Sequence, residues 1–316
     1  MKLSIIIPVY NVEKYIKRCL ESIYIQNIPN DDYEVIIVND GTPDSSIDIV
    51  NEFIKLHENI KLINQPNQGL SIARNNGLAK AAGDYVWFID SDDWIVGNSI
   101  NIIFKYLEQK HNVISTNLIY AYDDSEKNRE ERVIDKDVFL SASEYITKYS
   151  VGASQRYIIK RELLEKFQLK FYPSILHEDA EFNLRLVYYA DNVFLIKKPL
   201  YNYYQGNLHS IMSSWNIKNS EYYFTIYKLL TEFWKEQVAE EMKLVVRIYT
   251  FRVLLMSIVV ETKFTSPLFY QSIKSEVKKE SLALITSKNI SLKQRFIFFI
   301  NYISPYFFKS LKNKLK

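Results

Sequence analysis

Short apolar runs alternate with amphipathic stretches along the first third of the chain. The runs are rich in β-branched residues and have the length of strands buried on both faces of a sheet. They are Leu3–Pro8, Glu34–Asn39, Ile60–Asn64 and Tyr85–Ile89. Between them, apolar positions recur at helical spacing. The predicted helices run from Val12 to Tyr24, from Thr42 to about His57, and from Gly69 to about Ala82. This alternation predicts an α/β fold with a doubly wound, mainly parallel sheet.

Beyond residue 95 the alternation is less regular. A helix from Asn98 to Gln109 and a strand from Val113 to Tyr120 continue the α/β pattern, and from about residue 214 the pattern is helical. The expected organisation is therefore an α/β domain over 1–213 and a helical C-terminal region over 214–316. Within the α/β domain, residues 1–95 form one half and residues 96–213 the other.

The composition fits a globular protein with a full core. The chain has 316 residues, 47% of them hydrophobic, and its one cysteine, Cys19, falls on the apolar stripe of the first predicted helix. An intrachain disulfide and a cysteine-rich zinc site are excluded, and a reducing compartment is favoured. The sequence opens directly on a strand, and no apolar run reaches the roughly 18 residues of a membrane span. We expect a cytoplasmic location, peripheral to a membrane.

The charge is unevenly distributed. The net charge is +3, yet no acid follows Glu280, while seven basic residues do. Over residues 290–316 six of these cations interleave with phenylalanines and tyrosines, a pattern typical of segments that bind an anionic membrane surface. The alternative is that this stripe packs onto the body of the protein or onto a second copy in a homodimer. Nucleic acid is a poorer explanation, since no nucleic-acid-binding motif accompanies the charges.

An acidic cluster, Asp90-Ser91-Asp92-Asp93, follows the fourth predicted strand. Open α/β sheets bind ligands in the crevice beyond the carboxyl ends of their strands. Carboxylates two residues apart repel each other unless a cation neutralises them, which predicts Mg²⁺ or Mn²⁺. The simpler interpretation is a polar turn before the next helix. A dinucleotide-binding G-x-G-x-x-G motif and a Walker A motif are both absent from the sequence.

Four segments at the predicted strand ends together resemble family 2 of the inverting glycosyltransferases, which have the GT-A (nucleotide-diphospho-sugar transferase-like) fold. The segments are Ile5–Asn11, Ile36–Thr42, Asn67–Asn75 and Asp90–Asp93. The resemblance is dense over residues 1–95 and thinner to about residue 212. It implies a nucleotide-sugar donor bound by Pro8, Val9, Tyr10, Asn11, Glu13, Asp40, Gly69, Arg74, Asp90, Ser91 and Asp92.

Individual roles follow from that resemblance and suit the side chains. Tyr10 would stack on the nucleobase, Asp40 would accept its N–H, and Arg74 would pair with the diphosphate. Asp90 would lie near the ribose, and Asp92 would hold the metal. Taken singly, each residue has an ordinary alternative as a core tyrosine, a turn residue or a surface charge.

A second site is expected where Glu178 and Asp179 open a helix. The pair resembles an acidic segment of the family whose aspartate is the catalytic base. An inverting transfer needs one carboxylate to take a proton from the acceptor hydroxyl, and Asp179 is the candidate. The alternative is helix N-terminal charge, which the helix dipole favours.

The segment Tyr201–Ile211 resembles a family loop that closes over the donor. Gln205 stands where arginine is usual, which puts a phosphate contact there in doubt. His209 is a candidate second metal ligand, with a solvated loop histidine as the alternative.

The predicted function is a metal-dependent, inverting glycosyltransferase on the inner face of a bacterial membrane. It would move one sugar from a UDP-sugar, with GDP and dTDP less favoured, to a glycan or lipid-linked acceptor in surface polysaccharide synthesis. The alternative is a membrane-associated scaffold of the same fold with little or no catalysis, for which Gln205 is the supporting feature.

Overall fold

The computed structural model describes residues 1–26, 28–131, 134–149, 151–207, 217–259 and 267–303. The strands are β1 Leu3–Val9, β2 Tyr33–Asp40, β3 Ile60–Gln65, β4 Tyr85–Phe88, β5 Trp94–Ile95, β6 Val113–Ala121, β7 Arg129–Glu130, β8 Val138–Ser141, β9 Tyr157–Lys160 and β10 Asn192–Tyr204. The helices are α1 Ile16–Tyr24, α2 Ser46–Leu56, α3 Leu70–Leu78, α4 Ser99–Leu107, α5 Ala142–Lys148, α6 Arg161–Lys166, α7 Glu178–Ala190, α8 Ile217–Glu236, α9 Glu240–Val259, α10 Pro267–Ile285 and α11 Leu292–Ile303.

The strands form one sheet in the order β3-β2-β1-β4-β9-β6-β10-β5, with β7 beside β6 and β8 beside β10. The four strands of the first half are mutually parallel, which confirms the doubly wound sheet predicted there. The second half is mixed. Strand β9 runs antiparallel to both β4 and β6, whereas β6 and β10 are parallel.

Several local predictions differ from the structure. The second helix begins at Ser46 instead of Thr42, and the third ends at Leu78 instead of about Ala82. The first helix begins at Ile16 instead of Val12, because Val12 to Tyr15 forms a hydrogen-bonded turn and Asn11 adopts a positive φ of 56°. The first residues of the predicted donor loop are the end of β10, which continues to Tyr204. Aromatic residues favour strands, and this run pairs with β6.

The chain divides into two compact units, Met1–Ser174 with Phe182–Leu208, and Ile175–Glu181 with His209–Lys316. In the first unit the apolar core is built on the central strands β1, β2 and β4. Ile5 and Trp87 are fully buried there together with Ile16 of α1. Helix α3 packs closely on β1 at Gly77, where an added Cβ would lie 2.4 Å from Cγ2 of Ile6.

The second unit is helical in its described part. Helices α9 and α11 meet through an edge-to-face contact of Phe251 with Phe298, with ring centroids 5.5 Å apart. Arg247 of α9 forms an ion pair with Glu280 of α10, with Nε 2.9 Å from Oε2. None of the helices in the described ranges is long and apolar enough to cross a membrane.

Candidate active site

The loops after β1, β2 and β4 meet at one edge of the sheet. Because β1 lies between β2 and β4 and all three are parallel, their carboxyl ends point the same way. Tyr10 follows β1, Asp40 ends β2, and Asp90 to Asp92 follow β4. The structure therefore brings together the residues that the sequence placed at separate strand ends, in the crevice where open α/β sheets bind ligands.

Asp40 anchors the loop between β3 and α3. Its Oδ1 accepts hydrogen bonds from Nε2 of Gln65 and the backbone N–H of Gln68, both at 2.8 Å. Its Oδ2 accepts from the backbone N–H of Gly69 at 2.9 Å. Gly69 has a φ of 88°, a conformation that favours glycine. A carboxylate has about four acceptor positions, so the hydrogen bonds from the described residues leave one on Asp40.

The loop after β1 is tied to the loop after β2. The backbone N–H of Asn11 donates to Oγ1 of Thr42 at 2.8 Å, and that of Glu13 donates to Oδ2 of Asp44 at 2.8 Å. Pro8 and Val9 are the buried last residues of β1. Tyr10 is 47% exposed, so its ring is available to a ligand.

Asp90 lies between a buried arginine and a buried glutamine. Arg74, which is 1% exposed, places NH2 2.7 Å from Oδ1 of Asp90 and stacks over the ring of Phe171. Nε2 of Gln155 donates to Oδ2 of Asp90. The guanidinium thus already neutralises Asp90. The sequence could not show this pairing, because α3 brings Arg74 to the carboxylate only in the folded chain.

Asp92 is held from two sides. Its Oδ2 accepts from Nδ2 of Asn207 at 2.8 Å, and its backbone oxygen accepts from Arg18 at 3.1 Å. The Arg18 guanidinium lies against the rings of Trp94 and Tyr204, 3.7 and 4.3 Å from their centroids. Burial, followed by the charge of Asp90, raises the pKa of the Asp92 carboxyl.

Asp93 faces the protein interior. Its Oδ2 accepts from the hydroxyl of Tyr201 at 2.6 Å, and its Oδ1 accepts from the backbone N–H of Tyr204 at 2.7 Å. Burial, and then the charges of Asp92 and Asp90, raise its pKa well above the usual range. The neighbour Ser91 is buried as well. Among the residues that the structure describes, Asp90 has a cationic partner and Asp93 is wholly buried, whereas Asp92 shows no ion pair on its carboxylate and is not wholly buried.

A divalent cation fits this site only if a ligand completes its shell. Within the described residues, no group of three His, Cys, Asp or Glu side chains could hold a metal by itself. Mg²⁺ and related ions commonly bind one or two carboxylates together with substrate phosphates. His209, the second predicted ligand, lies outside the described residues.

Asp179 lies in the first turn of α7, as expected. Its surroundings within the second unit are aromatic. His177 stacks on Tyr223 with ring centroids 4.4 Å apart, and the Tyr249 hydroxyl donates to the backbone oxygen of Ala180 at 3.1 Å. Burial, followed by the negative charge of Asp179, raises the pKa values of Tyr223 and Tyr249.

Sequence reasoning assigned no role at the acidic loop to four residues that contact it. Arg18 and Gln155 carried no signal, whereas Tyr201 and Asn207 lie in the segment that resembles the donor loop but had no individual role. Each reaches the acidic loop from another element, so only the tertiary fold assigns it there. Gln205, the departure from the family pattern, donates its backbone N–H to Ala121 at 2.8 Å.

Residues 4–168 match the model of glycosyl transferase family 2. That match covers more than half of the chain. The chain belongs to glycosyl transferase family 2. The resemblance seen at the strand ends is thereby confirmed.

Two relatives illustrate the range of this family. The chain is 32% identical over 240 residues to the putative glycosyltransferase EpsH of Bacillus subtilis, covering 74% of this chain and 69% of that protein. It is 34% identical over 214 residues to the glycosyltransferase GlyA of Streptococcus pneumoniae, covering 64% of this chain. It spans only 30% of the length of GlyA.

Solved structures of low identity share the GT-A fold. The structure of S. aureus TarS 1-349 in complex with UDP-GlcNAc is 18% identical, with a TM-score of 0.75, covering 100% of this chain and 93% of that one. The mannosyltransferase PcManGT of Pyrobaculum calidifontis, in complex with GDP-Man and Mn²⁺, is 16% identical with a TM-score of 0.59, covering 99% and 84%. The fold predicted from the sequence is confirmed.

Proposed function

We propose that this family 2 protein is a metal-dependent, inverting glycosyltransferase that uses a UDP-sugar. The observation that carries the proposal is the convergence of Tyr10, Asp40, Asp90 and Asp92 at one sheet edge. An exposed ring, a carboxylate with a remaining acceptor position and an acidic loop are the groups that a nucleoside diphosphate sugar requires. TarS, a protein of the same fold, was solved with UDP-GlcNAc.

The nucleoside half of the donor binds at the loops after β1 and β2. Tyr10 stacks on the base, and the last acceptor position of Asp40 takes its N–H. The loop from Pro8 to Glu13 supplies backbone groups to the base edge. Because hydrogen bonds to Thr42 and Asp44 already hold this loop, little ordering is needed when the nucleotide binds.

The ribose and the diphosphate bind at the acidic loop. Asp90 lies near the ribose, and Ser91 supports the loop. Arg74 faces Asp90 and contributes positive potential, while Gly69 lets the backbone approach the ligand. Asp92, and His209 with it, would hold Mn²⁺ or Mg²⁺, and the ion would supply charge compensation for the departing diphosphate.

The chemical step uses Asp179 as the base. The acceptor hydroxyl oxygen attacks the anomeric carbon from the face opposite the diphosphate, and Asp179 takes its proton. The bond from that carbon to the diphosphate oxygen breaks, and UDP leaves with the electron pair. The new bond has the inverted configuration because one displacement occurs.

The acceptor side points to a glycan on a lipid carrier. Helix α11 buries Phe298 but exposes Phe296 and Phe299 on its other side, at 63% and 48%. The basic residues near the C-terminus extend the same segment. An aromatic face beside lysines suits an anionic membrane surface, and so the inner face of a bacterial membrane where surface polysaccharide is assembled.

Calorimetric titration with UDP in the presence and absence of Mn²⁺ tests the donor site. The unaltered chain should bind UDP more tightly with Mn²⁺, and Asp92→Ala should remove that difference. Asp48→Ala, which changes an exposed acid on α2, is the matched control and should behave as the unaltered chain. Equal Mn²⁺ enhancement in Asp92→Ala would refute the metal assignment. Donor binding without turnover on any glycan acceptor would favour the scaffold.

A further inference from the structure

Gln155 lies beside Asp90 at the carboxyl end of β4. Strand β9 pairs antiparallel with β4, with Trp87 opposite Ile158 and Tyr85 opposite Lys160. Gln155 belongs to a 3-10 turn, Ser154–Arg156, that directly precedes β9. The turn before β9 therefore lies near the carboxyl end of β4, its antiparallel neighbour. The backbone there is fixed, because Nε1 of Trp87 donates to the backbone oxygen of Gln155 at 2.7 Å.

The side-chain amide of Gln155 has one defined orientation. A carboxylate can only accept hydrogen bonds, so the amide must turn its NH2 group toward Asp90, as it does. The amide oxygen therefore points elsewhere. Gln155 is 6% exposed, and its Oε1 is buried without a hydrogen-bond partner among the described residues.

A buried acceptor without a donor costs free energy, and folded proteins rarely retain one. At a ligand site, the missing donor is naturally supplied by the ligand. The amide is anchored to a carboxylate that Arg74 holds from the opposite side at 2.7 Å. The oxygen belongs to the same amide as the nitrogen that contacts Asp90, so it lies next to the proposed donor site.

We propose that Oε1 of Gln155 accepts a hydrogen bond from a hydroxyl group of the sugar nucleotide. The inference rests on the proposed function and names one of its binding contacts. A hydroxyl is the chemistry that fits a neutral acceptor beside a carboxylate, because a phosphate or a second carboxylate would be repelled by both groups. The hydroxyl belongs either to the ribose or to the transferred sugar, and binding experiments distinguish these sources.

The test compares Gln155→Met, of similar size and without polar amide atoms, with the unaltered chain. UDP, 2′-deoxy-UDP, 3′-deoxy-UDP and UDP-GlcNAc are titrated with Mn²⁺ present. Loss of one hydrogen bond to a hydroxyl should weaken binding by about tenfold. Weaker binding of UDP, with little change for one deoxy form, assigns the contact to the ribose. Weaker binding of UDP-GlcNAc alone assigns it to the transferred sugar.

Gln26→Met is the matched control. Gln26 is a buried glutamine whose Nε2 donates to Ser22 at 2.7 Å and to Val96 at 3.2 Å, with no contact to the acidic loop. This variant should lose stability without a change in nucleotide affinity. If Gln155→Met does not fold, Gln155→Asn withdraws the amide by one bond and should give the same loss.

The Gln155→Met substitution is also made in the Asp90→Asn variant. This separates a direct contact of Gln155 with the ligand from an effect transmitted through Asp90. A direct contact predicts that Gln155→Met still weakens binding there by about tenfold. Disappearance of the loss in that background would overturn the proposal, as would unchanged affinity of Gln155→Met for all four ligands. If the unaltered chain bound no nucleotide diphosphate, the proposed function itself would fail, and this contact with it.

Discussion

The guanidinium of Arg74 lies 2.7 Å from the carboxylate of Asp90, and the arginine is 1% exposed. The positively charged side chain beside the proposed donor site is therefore buried in the core. Removing one member of a buried ion pair leaves the other charge unpaired, which costs more than removing both.

Arg74→Met should lower the free energy of unfolding by about 3 kcal/mol, because Asp90 keeps its charge in a mostly buried position. The double variant Arg74→Met/Asp90→Asn should recover much of that loss. Urea unfolding of the four proteins in the cycle measures both effects. Equal instability of the single and double variants would show that the arginine acts through packing alone.

Asp40→Asn should disorder the loop between β3 and α3. An amide has one acceptor oxygen, so its NH2 group must face at least one of the three donors that Asp40 now satisfies. We expect a loss of about 2 kcal/mol of stability, together with weaker nucleotide binding. Thermal unfolding measures the change in stability, and titration with UDP measures the change in nucleotide binding. Asp48→Asn makes the same chemical change at an exposed position in the first turn of α2, where it should leave UDP binding unaltered and cost less than about 1 kcal/mol of stability.

Asp179→Asn should bind UDP-sugar normally but lose about a hundredfold or more of the transfer rate. Glu178→Gln removes a charge from the same turn of α7 and serves as control. If the carboxylates act only on the helix dipole, both variants should behave alike. A rate loss confined to position 179, with donor affinity intact, distinguishes the base from the dipole.

Glu34 gives a pH-dependent contribution to stability. Burial raises its pKa, but hydrogen bonds from Lys61, Ser4 and Ala82 outweigh that effect and lower it overall. The unfolded chain then binds the proton more readily than the folded one. The contribution is complete above the usual glutamate pKa of about 4.3 and is lost as the pH falls through the lowered value.

Glu34→Gln should therefore lower the free energy of unfolding by about 2 kcal/mol at pH 7. The difference from the unaltered chain should shrink steadily below pH 4.3, the approximate pKa of an ordinary glutamate. Chemical unfolding at a series of pH values measures it. A difference that stays constant down to pH 3 would contradict the linkage argument.

The double variant Phe296→Ser/Phe299→Ser should bind vesicles containing anionic lipid at least about tenfold more weakly, since each ring buries apolar surface at the interface. Sedimentation with vesicles measures this. Leu268→Ser/Leu282→Ser changes exposed leucines on α10 and should leave vesicle binding unaltered. A fall in self-association, with unchanged vesicle binding, would assign the face to a second copy of the chain.

The first half of the fold could be predicted from the sequence because each strand there is a continuous apolar run. Strand ends fell within two residues of the predicted ones, and Tyr10, Asp40 and Asp92 follow directly from those ends. Parallel strands order their carboxyl ends at one edge, so local patterns sufficed to bring these residues together.

The remaining site residues depend on contacts between distant segments. Gln155 reaches Asp90 from the 3-10 turn that precedes β9, and the antiparallel pairing of β9 with the non-consecutive strand β4 leaves no mark in periodicity. Arg74 has the polar character of a surface residue, yet it is buried, because Asp90 and Phe171 surround it. In both cases, residues distant in the sequence determine where the side chain lies.

Asp92 and Asp93 are adjacent, but their side chains have opposite environments. A relative with aspartate at position 92 but another residue at position 93 would keep the spacing of Asp90 and Asp92. It would lose the hydrogen bond from Tyr201 that holds the loop. Substitutions at Asp93 and Tyr201 should therefore occur together during divergence. A sequence pattern for active members of this family should therefore include both the acidic loop and a tyrosine on β10.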